Sequence, residues 1–111
     1  MQYIPGEVIR LNQDVCGRHE HRPFVVVSDT MNGYLVAPLT TQDTQEHLWV
    51  PVTGNKETLG RSRYARVDVP RVIWDRSVSY LIGEVDEETL RNIQRGVQKE
   101  LAPLMCKEIS R

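Results

Sequence analysis

The chain has 111 residues, 40% of them hydrophobic and 26% charged, with a formal net charge of −1. That is the size and make-up of one folded domain spanning residues 1–111, with enough apolar material for a single core. It excludes collagenous, disordered and membrane-spanning classes: no apolar run approaches the ~18 residues a spanning helix needs, and the N-terminus carries no signal-peptide pattern.

Residues 5–11, PGEVIRL, predict a first strand opened by the Pro5-Gly6 turn signal. Residues 12–23 are polar and rich in Gly, His and Arg, and predict a loop. FVVVSD (24–29) is a β-branched run that suits a strand buried on both faces. Asn32-Gly33 is a two-residue hairpin signal leading into YLVAPLT (34–40). HLWVPVT (47–53) predicts another strand and Gly54-Asn55 a turn. YARVDVPRVIW (64–74) predicts one further strand, with Pro70 forcing a bulge or an edge position. SYLIGEV (79–85) closes the strand series. A helix follows from Glu87 to Leu101, with Asp86 as N-cap, an apolar stripe of Leu90, Ile93, Val97, Leu101 and Leu104, and Pro103 as the stop.

Charge is unevenly spread. Eleven of the fourteen basic residues are Arg, whose planar fork matches a phosphate better than the point charge of Lys. Arg61, Arg63, Arg66, Arg71 and Arg76 fall within sixteen residues, while acids gather at Glu84, Asp86, Glu87 and Glu88. An Arg run can be a solvated face with scattered ion pairs, or a local anion site inside a neutral total. Cys16 and Cys106 form no CxxC or Cys/His pattern and read as free thiols of a reducing cytoplasm.

Strand alternation in 64–69 turns Arg66 and Asp68 one way and Val67 and Val69 toward the core. Such a pair is either a surface ion pair worth about 0–1 kcal/mol, or a phosphate site in which Arg66 stabilises charge and Asp68 handles a proton. The loop Gly17-Arg18-His19-Glu20-His21-Arg22-Pro23 places a histidine where it is either solvated or suited to proton transfer. It lacks the ligand spacing of a metal site, so neither metal nor cofactor is expected. Thr40 and Thr41 offer hydroxyls to a phosphate oxygen or to local backbone. The aromatics Trp49, Trp74, Tyr64 and Tyr34 suit base stacking or core packing.

These segments, in their order and spacing, resemble the MazF/PemK (Kid) family of toxin endoribonucleases from type II toxin–antitoxin pairs, over about residues 5–101. The resemblance rests on PGEV, G-R-H-E-H-RP with FVVVSD, APLTTQ, ARVDVPRVIWD, and IGEV with the terminal helix. It implies a mainly β (α+β) fold: a small, strongly bent antiparallel sheet or SH3-like barrel with a C-terminal helix, as in CcdB and MazF. It also implies a cytoplasmic enzyme that cuts single-stranded RNA without metal, through 2′-hydroxyl attack leaving a 2′,3′-cyclic phosphate and a 5′-hydroxyl. Carried over residue by residue, Arg22 and Thr40 contact the scissile phosphate, Arg66 and Asp68 act as general acid and base, and His19 assists. Arg18, Thr41, Gln42, Arg61, Arg63 and Arg71 are the expected RNA contacts. The partners implied are RNA, a cognate antitoxin and a second copy in a homodimer, with DNA reached only through the antitoxin complex and no membrane. The chain departs from the family in a shorter first loop, in Arg18 before His19, and in Val69 where Gln is frequent. A CcdB-like gyrase-binding inhibitor and a non-catalytic RNA-binding module are the alternative readings of the same fold.

Overall fold

The most apolar run of the chain lies at the centre of its sheet. The computed structural model describes residues 3–12, 23–41, 49–53 and 64–109, the helix beyond residue 99 by its backbone alone. Strand β2 (Phe24–Asp29) is buried from Phe24 to Val27, as a β-branched run covered on both faces requires. It pairs antiparallel with β1 (Glu7–Leu11) on one edge and β3 (Gly33–Thr40) on the other. Strand β4 (Val50–Pro51) pairs with β5 (Tyr64–Ala65), and β5 with the end of β3. Strand β6 (Arg71–Trp74) pairs with the start of β3, and β7 (Val78–Glu84) with the free edge of β1. Among the described residues the path β4-β5-β3-β2-β1-β7 does not close, so the sheet is open. Among the described residues no helix is long and apolar enough to cross a membrane.

Side-chain alternation divides the core in two. Val8, Val25, Ala37, Leu39 and Ala65 face helix α1 (Glu87–Ile109), meeting Ile93 and Val97. Ile9, Leu11, Phe24, Val26, Tyr34, Val36 and Ile73 form the second cluster. A bulge at Val27 shifts the β2–β3 register between Val26↔Val36 and Ser28↔Leu35. The Val27 carbonyl accepts a 3.1 Å hydrogen bond from Gln94 Nε2 of α1.

Three expectations change. The run 64–74 is two short strands separated by a turn, and Val69 lies exposed in that turn rather than in the core. The β2–β3 turn centres on Met31-Asn32, closed by Thr30 N–H to the Gly33 carbonyl at 2.9 Å. Gly33 already belongs to β3 and has no positive φ, so its role is space. A Cβ there would lie 1.8 Å from the Ile73 carbonyl oxygen. Among the described residues Gly6 is the glycine that uses its freedom, at φ 97, where its N–H bonds Val26 and its carbonyl accepts from Val85. Helix α1 continues through Pro103, which removes one amide donor without ending the helix.

The helix start is held by a cap. Asp86 Oδ1 accepts from Thr89 N–H at 2.9 Å, and Thr53 Oγ1 donates to Asp86 Oδ2 at 2.6 Å. These bonds, led by that from Thr53 and followed by those from Thr89, hold the Asp86 carboxyl below its ordinary value of 3.8. A depressed folded value stabilises the fold above 3.8, and that contribution is lost as pH falls through the folded value. Asn at this position still caps but does not titrate. Urea midpoints of wild type and Asp86→Asn should therefore differ at neutral pH and converge in acid. Gly33→Ala should lower the urea midpoint by the equivalent of about 1–3 kcal/mol, the usual cost of forcing atoms into a filled site.

Candidate active site

Pro38 decides where β3 changes partner. Its carbonyl accepts from Arg66 N–H at 2.8 Å, so its own nitrogen faces the same edge, and proline has no hydrogen there to return. The Arg66 carbonyl thus lacks the partner a regular ladder would supply. It accepts from Val69 N–H at 3.4 Å instead, which closes a turn over residues 66–69. The chain leaves β3 at this point and rejoins it as β6, opposite Gly33–Val36. Asp68 rides on the turn and is brought back toward Arg66.

The two side chains meet there. Arg66 Nη2 donates to Asp68 Oδ2 at 3.0 Å, with the side chains 30% and 26% exposed. At that exposure an ion pair adds about 0–1 kcal/mol, so stability alone is a weak reason for it. The guanidinium Cζ lies 5.0 Å from the centre of the Trp49 ring, and that indole is tilted against Tyr64 with centroids 6.3 Å apart. Arg66 is thus held by its backbone on β3, by a carboxylate and by an aromatic face. Arg66 Nε and Asp68 Oδ1 are buried without a hydrogen-bond partner among the described residues. Each unpaired buried polar atom costs about 1–3 kcal/mol. Such atoms are few in folded proteins, and a catalytic role is one of the recognised reasons for them.

Register brings Thr40 to the same face: it is buried and paired with Tyr64, two residues before Arg66. Thr41 follows β3 and is exposed, and Arg71 is exposed in β6 opposite Val36. Arg18, His19, Arg22, Gln42, Arg61 and Arg63 lie outside the described residues. Trp49, which in the sequence reads as either a core or a stacking aromatic, lies against Arg66 instead. Its signal is register: Val50↔Ala65 and Pro51↔Tyr64, continued by one step, set Trp49 opposite Arg66.

A family model described as PemK-like, MazF-like toxin of type II toxin–antitoxin system matches residues 5–101. The chain belongs to this toxin family. Solved structures share its fold. A mycobacterial endoribonuclease in complex with its cognate antitoxin superposes with a TM-score of 0.72 at 21% identity, over 90% of this chain and 95% of that one. An endoribonuclease from a mycobacterial species gives 0.70 at 20%, over 92% and 93%. A chain of a MazE–MazF crystal from Deinococcus radiodurans gives 0.69 at 19%, over 89% and 94%. At these identities the likeness is one of fold. The comparison with curated proteins finds no match.

The Trp49–Arg66 contact should be measurable by a double-mutant cycle. Trp49→Leu, Arg66→Met and the double variant, unfolded in urea, should give a coupling of about 0.5–1 kcal/mol, as expected for a partly exposed cation over an indole. Additive losses would mean that the ring does not hold the guanidinium.

Proposed function

We propose that this PemK/MazF-like toxin is an endoribonuclease that cuts single-stranded RNA at the Arg66–Asp68 pair. The observation that carries the reading is that pair itself: a guanidinium and a carboxylate bonded at 3.0 Å, part-exposed, with Arg66 Nε and Asp68 Oδ1 unpaired among the described residues. Family membership over residues 5–101 supports it, as does the common fold with proteins described as endoribonucleases.

In the proposed reaction the Asp68 carboxylate takes the proton of a ribose 2′-hydroxyl. The 2′-oxygen bonds to the adjacent phosphorus, and the bond from phosphorus to the 5′-oxygen breaks. That oxygen takes a proton from the acid, Arg66 in the family resemblance, which regains one from protonated Asp68 directly or through water. Products are a 2′,3′-cyclic phosphate and a 5′-hydroxyl. Negative charge grows on the phosphoryl oxygens, and Arg66, held in place before substrate arrives, offsets it. The family resemblance assigns Arg66 the acid role. A guanidinium has five N–H donors and a delocalised positive charge, so charge stabilisation and hydrogen bonding to the leaving oxygen are its chemical strength. Thr40 on the same face, together with Arg22, contacts the scissile phosphate, and His19 assists. Arg18, Thr41, Gln42, Arg61, Arg63 and Arg71 contact the flanking RNA. The reading includes no metal, a homodimer, a cognate antitoxin that blocks the site, and a cytoplasmic setting where the RNA is found.

Purified protein incubated with single-stranded RNA in EDTA should yield fragments ending in cyclic phosphate. Arg66→Ala and Asp68→Asn should each slow cleavage by roughly 10²–10⁴-fold, the usual contribution of a positioned acid or base. Intact RNA, or variants as fast as wild type, would overturn the reading. Capture of gyrase with RNA left whole would favour a CcdB-like inhibitor instead.

A further inference from the structure

Gly96 lies in the interior of α1, where glycine is a poor helix former. Its φ is not positive, so backbone freedom does not explain it. Space does. A Cβ on Gly96 would lie 2.9 Å from Val67 Cγ2 and 3.1 Å from Val67 Cβ and Cγ1. The whole Val67 side chain therefore sits in the notch that the missing Cβ leaves. Val67 is buried with Ile93 and Val97 of the same helix, and it is the residue between Arg66 and Asp68. Being β-branched, it is stiff at χ1 and evades a clash mainly by moving its backbone. That backbone is the turn closed by Val69 N–H on the Arg66 carbonyl.

We propose that Gly96 is a positioning residue for the Arg66–Asp68 pair: its notch seats Val67, and the seat fixes the turn that carries both charges. The inference rests on reading that pair as the reacting groups. Helix α1 then acts on the chemistry through Val67, without touching substrate. A displacement of the turn of about 1 Å is enough to cost on the order of a hundredfold in rate.

The test uses the full chain as Gly96→Ala, Val67→Ala, the double variant Gly96→Ala/Val67→Ala, and Lys99→Ala as an exposed control on the same helix. Two properties are read: kcat and KM on a single-stranded RNA, and the NMR resonance of the Arg66 Nε proton, which feels the Trp49 ring current. Gly96→Ala should lower kcat about tenfold or more, leave KM within about twofold, and move the Arg66 resonance. In the double variant two methyls leave as one arrives, so both readouts should return toward wild type. Lys99→Ala should change neither. Gly96→Ala with wild-type kcat and an unmoved resonance overturns the proposal, as does a double variant no better than Gly96→Ala. Should Gly96→Ala fail to fold, Val67→Ala decides. It loosens the seat and must lower kcat and move the resonance, and wild-type values overturn the proposal. If the wild-type chain cuts no RNA, the ribonuclease reading falls, and the Arg66 resonance alone decides whether Gly96 positions the turn.

Discussion

A single missing hydrogen organises this molecule. An antiparallel pair that faces across its hydrogen bonds exchanges two of them. At Pro38 and Arg66 only one can form, because proline contributes an acceptor and no donor. The strand opposite β3 cannot continue past that point as a regular ladder. It curls on its own carbonyl, leaves, and returns as a second strand further along the same edge. The sheet keeps its long central strand, and the excursion becomes a rigid corner with both charges on it. Two short strands sharing one edge is thus the geometry that gives the corner its place.

Two apolar residues fix the corner among the described residues. Val67 points from it into the core beneath α1, and Trp49 lies against the guanidinium. A cation on a four-bond stem is normally free to wander. Here an aromatic face and a carboxylate both engage it, and a ladder hydrogen bond anchors its backbone. Groups fixed before substrate arrives need no reorganisation when charge develops, which is the main source of electrostatic catalysis.

Much of this was legible in the sequence, and the parts that were not share a cause. The run 24–29 was read with its bounds and its two-sided burial, because β-branched residues in a block leave little choice. The helix start was read from Asp86, since capping chemistry is local. Arg66 and Asp68 were recognised as a pair from alternation, and they do meet, though across a turn rather than along a strand. The run 64–74 is interrupted just before Pro70, where an irregularity is expected, but the break is a full turn rather than a bulge. Pro38, in another strand, also withholds a donor there. Gly33 was read as a turn glycine, whereas the reason for it is the Ile73 carbonyl some forty residues away. Trp49 could be assigned to Arg66 only once the β4–β5 register was known, and a connection of twelve residues between those strands does not set it. Local chemistry was readable; partners distant in sequence were not.

The bulge at Val27 has a consequence for how the two layers are assembled. A regular β2 would present the helix with evenly spaced, already satisfied backbone, against which an amphipathic helix can settle at neighbouring turns with similar burial. The Val27 carbonyl breaks that equivalence, because among the described residues it is Gln94 that answers it. A slip of one turn, about 5.4 Å along the axis, would leave an acceptor without a donor and an amide without an acceptor. The irregularity in the sheet is therefore an index mark for the helix, set beside the Val67 seat at Gly96 and the Thr53–Asp86 bond.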